Sequence, residues 1–273
     1  MGLWMGVPRV KATRVISLFD HTCLGLEPWL DRGFECWAYD IQHENTHTKH
    51  GKLNHVHADL DCPRTLRNLI AQHRDRVAIL FAYPPCTDLA ASGAPSWERK
   101  RRANPDFQHE AAARAMRCAE VAAQLRCPYV IENPVGALSR LWRPPNFKFD
   151  PCEFGGYIPK ADARHPLFPA HIPPRDAYRK RTLIWCSPDI HKPATRPVRP
   201  KELQYRSQKR KRKVSTYSPQ HGRLGGSSAR TKEIRSATPR GFAIALCLAH
   251  HAGNEEESNT RGPNRARCIH THV

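Results

Sequence analysis

The sequence lacks the ligand spacings that mark zinc sites. It holds ten cysteines, but no two of them form a Cys-x-x-Cys pair, the commonest signature of a structural zinc site. Five histidines lie close together with no cysteine among them, at His43, His47, His50, His55 and His57. We therefore predict a polar loop at this point, no metal centre, and cysteines that are mostly reduced core or surface residues.

The chain also lacks a long apolar run and an amphipathic anchor. A membrane-crossing helix needs about 20 consecutive apolar residues, and no stretch of that kind occurs. Residues 1–14 do not show the pattern of a secretory leader, and we find no internal repeat. We expect a cytoplasmic protein, without a membrane partner, that is a monomer.

Acidic residues are scarce relative to basic ones. The chain has 44 lysines and arginines against 25 aspartates and glutamates, a net charge of +19. Between residues 175 and 240 the balance is 19 basic to 4 acidic side chains, a local net charge of +15. A charge concentrated in this way favours a polyanion partner over a generally basic surface.

Alternating strand and helix patterns predict an α/β fold. Apolar runs bounded by turn residues predict strands, at residues 14–19, 34–40, 77–83, 128–132 and 181–185. Helical periodicity predicts helices, at residues 24–31, 63–74, 107–125 and 238–250. The rest is expected to be irregular, with a mobile loop at 87–104, a proline-rich stretch at 134–200, a basic insertion at 204–230 and a frayed tail from 253 onward.

Two motifs place reactive side chains at the ends of predicted strands. Pro84-Pro85-Cys86-Thr87 follows the strand at 77–83, and Glu132-Asn133-Pro134 ends the strand at 128–132. The carboxyl edge of an open α/β sheet is where such folds place their sites. A thiolate and a carboxyl group that face each other suit addition to C6 of a cytosine ring, with the acid at N3. We expect the turn and nearby cations to lower the pKa of Cys86.

These motifs resemble those of DNA (cytosine-5) methyltransferases of the compact sort carried by phages. The resemblance covers most of residues 14–250 and includes the segments 152–156, 180–185 and 235–242. It implies a Rossmann-like class I methyltransferase sheet with helices on both faces and a small basic target-recognition insertion. It further implies a catalytic, cofactor-binding domain at 1–140 and 236–252, a target-recognition region at 141–235 and a disordered tail at 253–273, in a protein of the host cytoplasm.

The resemblance implies transfer of a one-carbon group to C5 of a flipped cytosine in double-stranded DNA. Cys86 would form a covalent adduct with C6, and Glu132 would hold N3. Arg179 and Arg181 precede the strand that reaches Trp185, and residues two apart on a strand face the same side. They resemble the family's arginine motif, whose second arginine binds the cytosine O2. Lys180 is the counterpart if the register shifts by one, and a phosphate-binding basic strand is the alternative.

The resemblance also indicates which residues bind the cofactor, S-adenosylmethionine. They are Phe19, Asp20, His21, Thr22 and Cys23 in the loop after the first strand, with Asp40, Ile41, Asp59 and Pro84. Asp40 corresponds to the acid at the ribose hydroxyls and Asp59 to the residue at the adenine amine; ordinary loop aspartates are the alternative. The loop departs from the family's Phe-x-Gly-x-Gly pattern, because His21 and Cys23 occupy the glycine positions.

Two basic segments are expected to contact DNA. The loop after Cys86 would close on the duplex once the base is flipped, and it holds Ser92, Arg99, Lys100, Arg101 and Arg102. The insertion would supply phosphate contacts, through Lys209, Arg210, Lys211 and Arg212.

Two other interpretations stay open. His21 and His43 would lie near the sulfonium, so a donor with a carboxylate, such as carboxy-S-adenosylmethionine, could pair with them and yield 5-carboxymethylcytosine. The missing glycines are also compatible with a catalytically inactive DNA-binding homologue, although Cys86 and Glu132 are present. The absence of zinc-ligand spacing excludes a zinc-dependent deaminase that acts on a flipped base.

Overall fold

The computed structural model describes residues 12–207, 212–216, 218 and 228–250. Its centre is an eight-stranded mixed sheet, accompanied by a separate two-stranded hairpin. The strands are β1 (Arg14–Leu18), β2 (Glu35–Asp40), β3 (His47–His50), β4 (Leu53–His57), β5 (Val77–Ala82), β6 (Tyr129–Pro134), β7 (Phe147–Phe149), β8 (Thr182–Cys186), β9 (Leu203–Ser207) and β10 (Arg212–Thr216). The helices are α1 (Glu27–Asp31), α2 (Pro63–His73), α3 (Trp97–Ala103), α4 (Phe107–Leu125), α5 (Leu138–Leu141), α6 (Ala229–Ser236) and α7 (Arg240–His250). The predicted α/β class is confirmed.

The order of the parallel strands reverses between β1 and β5. The sheet runs β3-β4-β2-β1-β5-β6-β8-β7, and the five strands from β4 to β6 are parallel. The remaining three, β3, β8 and β7, each run antiparallel to a neighbour. Because β2 and β4 extend the sheet on one side of β1 and β5 and β6 on the other, a crevice opens between the loops that follow β1 and β5. Open α/β sheets bind their ligands at this point.

Helices cover both faces of the sheet. Neighbouring residues of a strand point to opposite faces, and Ile79 and Leu80 of β5 belong to different apolar clusters. Leu80 lies in the cluster that includes the buried alanines of α4, whose small side chains let the helix approach the sheet. Ile79 lies in the cluster that includes Phe242 of α7. Phe242 stacks on Phe149 with ring centroids 4.1 Å apart, so the end of the described chain is fastened to the sheet.

Two segments predicted to be loops contain regular structure. The segment 87–104 forms a 3-10 helix at Ala91–Ser96 followed by α3. In α3, Glu98 pairs with Arg101 and Arg102 at 3.5 and 3.2 Å, contacts one turn apart that stabilise a helix without any apolar periodicity. The histidine-rich stretch is not a loop either, because β3 and β4 pair there as an antiparallel hairpin. Both predictions were wrong because neither element has the apolar pattern on which they relied.

The basic insertion contains a hairpin. β9 and β10 pair antiparallel, and the central sheet takes β7 and β8 from the segment 141–235. Lys209, Arg210 and Lys211 lie outside the described residues, as does the segment 253–273, and Arg212 is described only through its backbone in β10. None of the helices that can be described from residue 12 to residue 250 has the length and apolar character needed to cross a membrane.

Two histidines are buried in hydrogen-bonded positions. His73 Nε2 lies 2.7 Å from the Tyr39 hydroxyl, and His165 Nδ1 accepts a hydrogen bond from the Phe168 N–H at 3.0 Å. Burial lowers the pKa of each to about 3, whereas an exposed histidine titrates near pH 6.5. Both side chains are therefore neutral in the folded protein at pH values where the unfolded chain would bind protons.

We expect the free energy of unfolding to decrease as pH falls from about 6.5 towards 4, by up to about 1.4 kcal/mol per pH unit for each histidine. His165→Asn keeps an acceptor for the Phe168 N–H and cannot be protonated, so its stability should depend less on pH than that of the wild type. His109→Asn, at an exposed position, is the matched control. Urea unfolding at pH 7 and pH 5 measures the difference, and an unchanged pH dependence in His165→Asn would contradict the assignment.

Candidate active site

Hydrogen bonds hold Cys86 in a turn at the end of β5. Asn133 is buried in β6, and its Nδ2 donates to the Pro84 carbonyl oxygen at 3.1 Å. The backbone N–H groups of Leu89 and Ala90 donate to the Cys86 carbonyl oxygen at 3.0 and 2.8 Å. The thiol is therefore presented at the carboxyl edge of the sheet, and strand β6 helps to set its position.

Glu132 lies at the same edge on the neighbouring strand. β5 and β6 pair in parallel with Ala82, the last residue of β5, opposite Ile131. Glu132 therefore lies just beyond the end of β5, although β6 itself continues to Pro134 alongside β8. The Glu132 side chain is 9% exposed, and its charge contributes to raising the pKa of Cys86. The structure thus brings the thiol and the carboxyl group together, as the two motifs predicted.

Lys180 supplies the positive charge at this site. Its Nζ lies 3.5 Å from Glu132 Oε1, and its side chain is 14% exposed. Burial raises the pKa of both Glu132 and Cys86, and the charge of Lys180 offsets only part of the rise. A buried carboxyl group with a raised pKa is suited to giving a proton to a bound ring.

The expectation of a lowered pKa for Cys86 is wrong for the protein without ligands. The turn partly buries the thiol, and this loss of hydration outweighs the attraction of Lys180. The negative charge of Glu132 acts in the same direction as burial.

The predicted arginine pair does not converge on Glu132. Arg181 Nη2 lies 2.8 Å from Asp150 Oδ2, and its side chain is half exposed. Arg179 is exposed and acts electrostatically on Cys152. Because β8 begins only at Thr182, the alternation of a strand does not extend over 179–181. Lys180 occupies the place beside the carboxyl group, which corresponds to the register shifted by one residue.

The loop after β1 keeps the backbone form of a glycine at position 23. Cys23 has a φ of 57°, in the left-handed region that favours glycine. Its N–H donates to Asp20 Oδ1 at 2.9 Å, while the Ser17 hydroxyl donates to Asp20 Oδ2 at 2.7 Å. Burial raises the pKa of Asp20, and this carboxyl group serves to hold the loop. The Cys23 side chain is buried in the core, so it does not fill the crevice.

The ends of β2 and β4 carry groups that suit a nucleoside. Asp40 is buried at the end of β2, and its Oδ1 accepts a hydrogen bond from the Gln42 N–H at 2.7 Å. Ile41, the next residue, is 59% exposed, the highest value among the large apolar side chains of the described residues. Asp59 is exposed just after β4. These three residues therefore suit the adenosine part of S-adenosylmethionine. Asp40 can bind the ribose hydroxyls, Ile41 can pack against the base, and Asp59 can bind the amine.

The other predicted cofactor residues lie around the same crevice. Phe19 also has a positive φ, 56°, and its N–H donates to the Tyr39 carbonyl oxygen at 2.8 Å. Thr22 and Pro84 are buried. His21 replaces the first glycine of the expected pattern, and its ring centroid lies 5.6 Å from that of His43. One imidazole therefore replaces a glycine of the family pattern, and the ring of His43 lies beside it.

Most of the predicted DNA contacts that can be described are exposed. They follow Cys86 in the chain and comprise Ser92, Arg99, Arg101 and Arg102. Lys100 is partly buried and forms an ion pair with Asp88. The other predicted contacts, at 209–212, have no described side chains.

Sequence reasoning missed Gly136. A Cβ at this residue would lie 1.8 Å from the Leu89 carbonyl oxygen, so the loops after Cys86 and Glu132 approach as only glycine allows. The Ala91 N–H donates to the Val135 carbonyl oxygen at 2.9 Å, and the Ala137 N–H donates to that of Leu89 at 2.8 Å. Gly136 follows Pro134 by two residues and signals a turn. Its contact with Leu89 joins segments far apart in the chain, so the sequence carries no local signal for it.

No family model matches the chain, and no curated protein matches it significantly. The site itself indicates the chemistry. Cys86 and Glu132 lie at the carboxyl edge of two neighbouring parallel strands, and Lys180 Nζ lies 3.5 Å from the Glu132 carboxyl group.

Removal of the Lys180 charge should raise the pKa of Cys86 further. In Lys180→Met, the pH dependence of Cys86 alkylation by iodoacetamide should shift to higher pH, because the thiolate is the reactive form. Peptide mass spectrometry across a pH series follows Cys86 alone. Lys148→Met, at an exposed position of β7, should leave the curve unchanged. No shift, or a shift to lower pH, in Lys180→Met would show that Lys180 does not act on the thiol.

Proposed function

We propose that the chain is a DNA (cytosine-5) methyltransferase built on a Rossmann-like class I methyltransferase sheet. The parallel order β4-β2-β1-β5-β6, with its reversal between β1 and β5, supports the fold. The observation that carries the function is the placement of Cys86 and Glu132 at the ends of β5 and β6, with Lys180 beside the acid. This arrangement offers a nucleophile and a proton donor to one planar ring.

Cys86 acts first, because C5 of cytosine is too weak a nucleophile to take an alkyl group directly. As Sγ bonds to C6 and the thiol proton leaves to solvent, the electrons of the C5–C6 double bond move towards N3, where Glu132 delivers its proton. Lys180 then stabilises the carboxylate that remains on Glu132. The same proton transfer removes the negative charge from the ring, so addition and protonation favour each other.

C5 is now part of an enamine and can take the one-carbon group. S-adenosylmethionine supplies that group on a sulfonium when it is bound by Asp40, Ile41 and Asp59. After transfer, C5 loses its proton to a base, the bond between Cys86 and C6 breaks, and the C5–C6 double bond is restored. The proton on N3 returns to Glu132, and the Cys86 thiolate takes a proton back from solvent, so the enzyme ends as it began.

Double-stranded DNA is the proposed substrate. The stack of a duplex hides C5 and C6, so the target base must be flipped into the crevice at a cost of a few kcal/mol. Exposed arginines of α3, Arg99, Arg101 and Arg102, follow Cys86 closely in the chain and can meet phosphates. The net charge of +19 supports the same partner.

The nucleophile can be tested by trapping. DNA that contains 5-fluorocytosine should form a stable covalent complex with the protein in the presence of donor, because fluorine cannot leave C5 as a proton does. Cys86→Ser should abolish the complex, Glu132→Gln should slow its formation by about 10²–10⁴-fold, and Cys62→Ser should not change it. Mass spectrometry of the digested complex identifies the attached residue. Attachment at any other cysteine would overturn the assignment.

A second candidate differs only in the donor. The His21 and His43 rings lie 5.6 Å apart beside the loop after β1. The family pattern has glycine at positions 21 and 23, which would leave more room there. If these imidazoles are protonated, they can pair with a carboxylate, as carboxy-S-adenosylmethionine would require. The same chemistry at Cys86 would then yield 5-carboxymethylcytosine.

Competition between donors separates the two candidates. With both donors present, we expect mainly 5-methylcytosine, because Asp40, Asp59, Cys86 and Glu132 suit methyl transfer without a cation at His21. Nucleoside mass spectrometry after the reaction reads the transferred group. If carboxymethyl transfer dominates, His21→Gly should restore methyl transfer, and exposed His109→Ala should not. No modified base with either donor would favour an inactive DNA-binding protein.

A further inference from the structure

Three side chains that bind metals meet beside the loop after β1. Cys23 comes from that loop, His43 from the turn after β2, and His55 from the middle of β4. Their ligand atoms all lie within 4.8 Å of one another. Cys23 and His43 are buried, and His55 is partly buried. The cysteine that the histidine-rich segment lacks in sequence is thus supplied by a distant loop.

The spacing of the three ligand atoms is close to that of a zinc site. Cys23 Sγ lies 4.0 Å from His55 Nε2, and the His43 and His55 ring centroids are 4.9 Å apart. Zinc–sulfur and zinc–nitrogen bonds of about 2.3 and 2.0 Å put the ligand atoms of a tetrahedral site about 3.3–3.6 Å apart. Side-chain movements of about 1 Å or less would bring the three atoms to those separations.

The backbone of Cys23 indicates that its side chain is used. A residue with a Cβ is strained in the left-handed conformation, whereas glycine adopts it without strain. Position 23 nevertheless carries a thiol at a φ of 57°. The side chain is 1% exposed, and its Sγ lies 4.0 Å from His55 Nε2, 3.8 Å from the Asp20 carbonyl oxygen and 3.9 Å from that of His21. A metal bond to the thiolate would outweigh the backbone strain.

The two histidines are held by the fold around them. The His57 ring Nδ1–H donates to the His43 carbonyl oxygen at 2.6 Å, which fixes the backbone of the turn. His55 lies opposite Ala38 of β2 and Thr48 of β3, so its backbone is bound on both sides. Such support of the groups that carry the ligands is typical of metal sites, where ligand orientation is set by neighbouring contacts.

We propose that Cys23, His43 and His55 bind a zinc ion, with water in the fourth position. One thiolate and two imidazoles suit zinc, whereas magnesium and calcium prefer oxygen ligands. Binding replaces the proton of the Cys23 thiol, which is released to solvent. The ion would cross-link the loop after β1 to the segments that carry His43 and His55, and so would fix the loop that the proposed donor site uses. A zinc-bound His43 would leave only His21 to pair with a carboxylate of the donor.

Zinc binding can be measured on the full chain, prepared without a polyhistidine tag and stripped of metal. Titration against a chromophoric chelator should give one tight site per chain, and cobalt in place of zinc should show a thiolate-to-metal absorption band. Cys23→Gly should remove the band and weaken binding by at least about 100-fold, since loss of outer-shell partners alone costs 10–100-fold. His55→Asn should weaken binding by at least about 10-fold.

Matched variants make the result decisive. Cys62→Ser removes a thiol elsewhere, and His50→Asn removes the imidazole that packs edge-on against His55 at 5.6 Å; both should keep the site. Without metal, Cys23→Gly should still melt cooperatively, because glycine suits the backbone at position 23 and offsets part of the packing lost with the thiol. The proposal would be overturned if Cys23→Gly bound zinc as tightly as the wild type, or if the wild type showed no cobalt–thiolate band. Cys23 and His55 would then share only a weak thiol–imidazole contact. These measurements use neither DNA nor donor, so their failure is distinct from failure of the methyltransferase proposal.

Discussion

The hydrogen bond from Asn133 to the Pro84 carbonyl oxygen joins the two halves of the site. Parallel pairing brings β5 and β6 to one edge, but a turn that begins with two prolines has few N–H groups with which to anchor itself. The buried amide of Asn133 supplies the missing contact at 3.1 Å. The neighbour of the proposed acid thus positions the turn of the proposed nucleophile, which explains why the two motifs belong together.

Charge balance in this site depends on the exclusion of water. Burial raises the pKa of both Cys86 and Glu132, and one lysine opposes that rise without cancelling it. The Glu132 carboxyl group therefore keeps its proton to higher pH than an exposed glutamate does, as a proton donor in the proposed reaction must. The raised pKa of Cys86 also limits reaction of the thiol with solvent oxidants or stray electrophiles, because the thiolate is the reactive form.

Elements with a local signal could be predicted, and those that depend on distant contacts could not. The apolar runs of β5 and β6 and the alanine-rich α4 follow from residue pattern alone. Helix α3 depends on ion pairs of Glu98, and the hairpin of β3 and β4 consists largely of polar residues, so apolar periodicity missed both. The residue that contacts Glu132, Lys180 or one of its arginine neighbours, depends on where β8 begins, which the sequence does not mark. The pKa of Cys86 depends on how far the folded chain buries the thiol. The approach of Cys23 to His55 connects segments that no short motif spans.

The contact at Gly136 restricts where the chain beyond Cys86 can bend. The bridge between Ala90 and Gly136 and the two flanking backbone hydrogen bonds bind residues 89–91 to the strand end that carries Glu132. A rotation within this stretch would drive the Leu89 carbonyl oxygen into the loop after β6. Any movement of α3, which begins at Trp97 beyond these contacts, would therefore leave the spacing of the thiol and its acid unchanged.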